Sequence, residues 1–210
     1  MLRLRSFGST AACVVIVSFA ASPVAAQGDK GAAAFRESYA AEARREYATA
    51  LAKVREARAG GANAYFAALR SGWLSYLLVD FPASIASYAE AVAAEPKAIE
   101  PKLGLTLPLL GQRNWHELER ACQAVLAVDP HNATALARLG LAQYSVGNFA
   151  GAEATYRRLA DDYPSELDYK TGLGWALLKQ GKGAEAKAVF EGVLAVSPDN
   201  VSARAGVGAR

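Results

Sequence analysis

The chain is poor in the residues from which enzyme sites are made. It has two histidines, His116 and His131, and two cysteines, Cys13 and Cys122, in 210 residues. No His-x3-His, Cys-x2-Cys or Glu-x2-His spacing occurs, so no metal site is indicated. No glycine-rich phosphate loop follows a strand pattern and there is no Gly-x-Ser-x-Gly elbow, so no cofactor is expected. The carboxylate pair Asp161-Asp162 stands beside Tyr163-Pro164, where a helix ends and solvent is close. Cys122 falls at a packing position, where a thiol is inert. No catalytic residue can be named, and the expectation is a protein that is not an enzyme.

Charge of one sign is also lacking. The whole chain carries 23 basic and 20 acidic side chains. The first 26 residues hold Arg3 and Arg5 and no acid, so without them the balance is 21 basic to 20 acidic. Near-neutrality argues against nucleic acid as the main ligand. Strict apolar–polar alternation is scarce, whereas alanine is abundant, and alanine is the best helix former. An all-α fold follows.

The N-terminus differs from the rest. Arg3 and Arg5 precede an uncharged, mostly apolar run from Ala11 to Ala21, then Ser22-Pro23-Val24-Ala25-Ala26-Gln27. Small residues at Val24 and Ala26 suit a signal-peptidase site, giving a cleavable signal peptide over residues 1–26, a short linker over 27–30 and an exported protein. The alternative is an uncleaved anchor, but the apolar run is short of the roughly 20 residues that span a bilayer. No stable membrane span is expected after cleavage. Cys13 lies inside the apolar run rather than at its end, which disfavours a lipoprotein, and the two arginines are not adjacent, which disfavours a twin-arginine signal. Cys122 is then the single remaining cysteine, so no intramolecular disulfide can form.

What the sequence does have is a period. Pro96, Pro130, Pro164 and Pro198 stand 34 residues apart. With proline near 5% of residues, three further hits at fixed positions have a chance of about one in ten thousand. Asp80-Phe81, Asn114-Trp115 and Asn148-Phe149 repeat at the same interval, as do Gly72, Gly140, Gly174 and Gly208, with Thr106 in the missing place. Each unit reads as two amphipathic helices. Gly147 and Gly181 mark the turn between them, and proline ends the second. Asn114, Asn132, Asn148 and Asn200 are N-cap candidates, and Asn114-x-x-Glu117 has capping-box spacing. Capping also accounts for the sequons at Asn132 and Asn200.

These residues resemble the tetratricopeptide repeat, whose signature is Trp-x2-Leu-Gly-x2-Tyr, then Ala-x3-Phe, then Pro. Residues 133–166 carry Leu139-Gly140, Ala152-x3-Tyr156 and Pro164; residues 167–200 carry Leu173-Gly174, Ala186-x3-Phe190 and Pro198. Residues 65–98 carry Gly72, Ser84-x3-Tyr88, Ala91 and Pro96. Residues 99–132 keep Leu105, Trp115 and Pro130, but Thr106, Leu118 and Cys122 replace the usual small and aromatic residues. Residues 31–64 form a degenerate unit with Ser38, Tyr47, Ala50-x3-Val54 and Ala57. The resemblance implies a right-handed superhelical solenoid of helix-turn-helix hairpins over 31–200, with a truncated helix over 201–210.

Three departures stand out. Residues 32–58 contain neither Gly nor Pro and could form one long helix, although their register favours a hairpin turning near Arg44–Glu46. Pro108 inside a first helix removes a backbone bond to Gly104 and should kink it. Val201 to Arg210 begins another first helix with no second helix after it.

In the resembled family the first helices line the concave side and hold polypeptide partners. The matching positions here are Tyr39, Phe66, Leu69, Trp73, Tyr76, Leu103, Leu107, Leu110, Leu141, Tyr144, Thr171, Trp175 and Lys179. Chaperone-binding members hold a C-terminal carboxylate with Lys, Asn and Arg. Here Phe35, Leu69, Trp73, Leu103, Leu107, Ala137 and Leu141 stand at those positions, so a carboxylate clamp is not expected. An apolar peptide or an amphipathic segment of a protein partner suits the surface better. By analogy with exported members, the setting would be a cell-envelope or polysaccharide-export assembly. A glycan stacking on Trp73, Tyr76 and Trp175 is the alternative partner.

Overall fold

A computed structural model describes residues 23–209. The basic start and the apolar run of the expected signal peptide lie outside them. Eleven helices and no strand occur among the described residues, and they stack as a right-handed solenoid. The helices pair as hairpins: α1 (Pro23–Ala43) with α2 (Tyr47–Ala59), α3 (Ala64–Leu77) with α4 (Phe81–Ala94), α5 (Glu100–Gly111) with α6 (Trp115–Leu126), α7 (Ala133–Ser145) with α8 (Phe149–Asp162), and α9 (Leu167–Lys179) with α10 (Gly183–Val196). The helix α11 (Val201–Gly208) follows alone. Contacts run between neighbours in sequence, so each hairpin is buried by the next. No helix among the described residues is long and apolar enough to cross a membrane.

The hairpin turns explain the period physically. Each has one residue in the left-handed region, at Arg45 (φ 62°), Val79 (60°), Arg113 (54°), Gly147 (82°) and Gly181 (77°). These positions are 34 residues apart. Only the last two are glycine, which adopts that conformation without a Cβ clash. The first unit is thus a hairpin turning at Arg44–Glu46, even though nothing in its local sequence breaks a helix.

Helix starts follow the side chains. Asn132 accepts from the Ala135 amide at 3.0 Å, Asn148 from Gly151 at 3.0 Å and Asn200 from Ala203 at 2.8 Å. Asp80 and Asn63 do the same for Ala83 and Phe66. Asn114 does not: its side chain makes no capping bond, and Glu117, its expected partner, pairs with Arg120 instead. Residues 27–30, expected as a linker, belong to α1. Pro23 is its first residue, where a missing N–H costs nothing. Gly31 is buried against Ala57 and Ala62, so packing on the hairpin outweighs the propensity cost of glycine. Helix α5 continues through Pro108, which is fully buried.

The core is a chain of clusters rather than one centre. Ala41, Ala50, Val54, Ala67 and Leu74 form the first; Leu109, Leu118, Cys122, Leu139 and Ala142 another; Leu173, Leu177, Phe190, Val193 and Ala203 a third. Full burial of residues such as Leu74, Leu118 and Phe190 contributes about 1.5–3 kcal/mol each.

Candidate protein-binding groove

How the units join decides the shape of the inner surface. In three joints an aromatic ring from a second helix lies between two glycines. Tyr88 lies between Gly72 of its own unit and Gly104 of the next; Tyr156 lies between Gly140 and Gly172; Phe190 lies between Gly174 and Gly206. A Cβ added at Gly172 would stand 2.8 Å from the Tyr156 ring, so only glycine lets the helices close on it.

The other two joints are built differently at the same register. Val54 and Cys122 replace the ring, Ser38 and Thr106 replace the first glycine, and Arg70 and Arg138 replace the second. The Arg70 Nε donates to Ser38 Oγ at 2.8 Å, and Arg138 donates to the Thr106 hydroxyl and, at 3.2 Å, to the Leu103 carbonyl. A long side chain reaching back from the next unit thus occupies the space of the missing ring, and a hydroxyl satisfies it. Burial pushes the Cys122 thiol up to about 12, so it stays protonated and unreactive.

Two hollows open along the first helices. One lies between the first and second units and measures about 620 Å³. Tyr39, Glu42, Arg45, Tyr47, Arg70 and Trp73 line it with Ala43 and Leu77. The other lies between the fourth and fifth units, measures about 380 Å³, and is walled by Leu141, Tyr144, Tyr156, Gly172 and Trp175. Its lining is chiefly apolar. The Trp175 indole meets Phe190 edge-on at 5.4 Å and donates to Ser202 Oγ at 2.9 Å, which fixes its plane. Burial raises the Tyr144 phenol and pushes Tyr156 up to about 12, so both remain neutral hydroxyls. Among the described residues no group of three or more potential metal ligands occurs.

Two family models for the tetratricopeptide repeat match the chain, over residues 109–175 and 171–209. The chain carries tetratricopeptide repeats. Among solved structures, MamA from residue 41 to its end, from Desulfovibrio magneticus RS-1, superposes with a TM-score of 0.76 at 20% identity, covering 84% of this chain and 99% of that one. A tetratricopeptide repeat protein from Parabacteroides merdae ATCC 43184 gives 0.78 at 16%, covering 86% and 72%. YrrB, described as a tetratricopeptide-repeat protein with an unusual peptide-binding site, gives 0.74 at 14%, covering 84% and 91%. At such identities the likeness speaks for the fold alone. No curated protein matches.

The tetratricopeptide stack distributes the sequence-derived groove residues unevenly. Tyr39 and Trp73 meet in the first hollow, and Leu141, Tyr144 and Trp175 in the second. Tyr76 stacks on Trp73, with ring centroids 5.8 Å apart. Phe66 is exposed outside both hollows, and Leu69 and Leu107 are half-buried. Leu110 packs against the Leu109–Leu118–Leu139 cluster, so it serves the core. Lys179 borders a separate hollow with Trp175, Leu178 and Gly181. Sequence reading missed Tyr156 and Gly172 as part of the apolar hollow, because a ring wedged between glycines reads as packing. It also missed Glu42 and Arg70. The signal for Arg70 was available: arginine stands at Arg36, Arg70 and Arg138, in a register that Gly104, Gly172 and Gly206 share.

Proposed function

We propose that this tetratricopeptide protein is an exported scaffold that holds an apolar or amphipathic segment of a protein partner in the hollow between its fourth and fifth units. The observation that carries the reading is that hollow itself: a largely apolar recess of about 380 Å³ in which Leu141, Tyr144, Tyr156 and Trp175 converge. Rigid aromatic walls supply contact area at low entropic cost and are typical binding anchors. The peptide-binding site described for YrrB supports a peptide as the kind of ligand. Export is supported by Arg3 and Arg5, the apolar run and the small residues at Val24 and Ala26. Analogy with exported members supports an envelope or polysaccharide-export assembly as the setting.

Selecting peptides on the immobilised protein tests the binding reading. Sequences with apolar anchors at helical spacing are expected to enrich, and Trp175→Ala should weaken them about tenfold or more. Enriched peptides that bind Trp175→Ala and Leu141→Asp as well as the native protein would refute it. N-terminal sequencing tests export: Gln27 is expected as the first residue of the exported form, and an intact start retained in the cytoplasm would contradict it.

A further inference from the structure

The hollow between the first and second units has different chemistry from the apolar one. Arg70 is 8% exposed and sits at its wall. Its Nε donates to Ser38, its Nη1 lies 2.8 Å from Glu42 Oε2, and its Nη2 is buried with no partner. The other Glu42 oxygen accepts from the Trp73 indole at 2.7 Å. The Tyr39 ring lies over the guanidinium at 3.5 Å, yet Tyr39 itself is 60% exposed, so it covers Arg70 from the solvent side rather than as core. Trp73 and Tyr47 complete the aromatic lining.

The unfilled bonding capacity defines a ligand. Nη2 offers N–H donors, and the Glu42 carboxylate keeps lone pairs that its two bonds do not use. Glu42 already neutralises the Arg70 charge, and the other cation of the lining, Arg45, is exposed, where water screens it. A ligand carboxylate would therefore gain little from Arg70 and would be repelled by Glu42, whereas an ammonium group would meet Arg70. A hydroxyl both accepts and donates, so it can bridge Nη2 and the carboxylate without adding charge. A molecule with neighbouring hydroxyls on its rim and apolar C–H faces suits a polar pair flanked by aromatic rings. We infer that the first two units form a saccharide-binding site, in which Glu42 and Arg70 Nη2 bond adjacent hydroxyls of a neutral sugar ring, Trp73 packs against its face and Tyr39 swings aside to admit it. This site is separate from the apolar hollow and does not rest on the peptide-binding reading.

Calorimetric titration of the protein with maltohexaose, cellohexaose, chitohexaose and hexagalacturonate, alongside an acidic peptide, tests the assignment. Saturable binding of at least one neutral hexasaccharide is expected. Tyr39→Ala and Trp73→Ala should each weaken it about tenfold, whereas Trp175→Ala should leave it unchanged. Glu42→Gln frees the arginine charge, so neutral sugar should bind about tenfold more weakly and hexagalacturonate about tenfold more tightly. Tyr39 is exposed, so its variant keeps the fold and preserves the test even if Glu42→Gln destabilises the hairpin. The inference is overturned if no neutral sugar binds, if the sugar binds Tyr39→Ala and Trp73→Ala undiminished, if Glu42→Gln leaves the preference unaltered, or if the acidic peptide displaces the sugar as the tighter ligand.

Discussion

At the scale of single residues, a substitution's sign depends on which neighbour a Cβ would meet. Gly172→Ala drives a methyl against the Tyr156 ring at 2.8 Å and should cost about 1–3 kcal/mol. Gly192 lies inside α10 with nothing within 4 Å of its virtual Cβ, so Gly192→Ala should stabilise by about 0.5–1 kcal/mol through helix propensity. Urea titration of the two variants checks both signs; shifts in the same direction would contradict the ring-and-glycine joint. Val79 is the third informative position. A β-branched residue at φ 60° is strained, so Val79→Gly at this exposed turn should raise stability by about 1 kcal/mol despite the added chain entropy. A lowered melting temperature would mean that Val79 makes contacts outweighing its strain.

At the scale of elements, the joints behave as sets. Cys122, Thr106 and Arg138 occupy the places of a ring and two glycines, so they should substitute together. Cys122→Tyr alone overfills its joint and should cost about 3 kcal/mol. Adding Thr106→Gly and Arg138→Gly recreates the ring socket and should recover about 1 kcal/mol or more of that loss. A triple variant less stable than the single one would refute the equivalence. Another tie joins α8 to the α9–α10 turn. Glu153 is held down to about 2 by the Lys182 ammonium 2.6 Å away, then by Arg157 and Gln180. A depressed carboxylate pKa stabilises the fold above its ordinary value of 4.5 and loses that contribution as pH falls toward 2. Glu153→Gln should therefore destabilise at neutral pH and flatten the acid side of the stability profile. An unchanged profile between pH 4.5 and 2 would show that the tie contributes nothing.

The elements themselves were legible for physical reasons. Proline at a fixed position after each second helix, and Gly147 and Gly181 at the turns, are backbone requirements that the sequence must show. Arg45, Val79 and Arg113 meet the same requirement under strain, so those turns carry no composition signal. The Asn114-x-x-Glu117 spacing gives no reciprocal capping box because the Glu117 carboxylate pairs with Arg120 instead.

At the scale of the whole molecule, the first helices of successive units pack side by side from α3 onward, but hollows among the groove positions form only where side chains leave room. That selection was not legible in the sequence. Leu107 and Leu141 share one register position, yet only Leu141 borders the apolar hollow, beside Tyr144, Tyr156 and Trp175. The first hollow is aromatic and polar and the second mainly apolar, so the two ends of one solenoid suit different ligands. The central claim is that this protein holds a polypeptide against the fourth and fifth units. The most direct measurement is photo-crosslinking in the native host, with the crosslinker replacing Tyr144 on the inner surface or Glu191 on the exposed face of α10. Crosslinking to a defined protein is expected from position 144 and not from 191, and it should disappear with Trp175→Ala. Equal crosslinking from both positions, or capture at 144 that survives Trp175→Ala, would contradict the account.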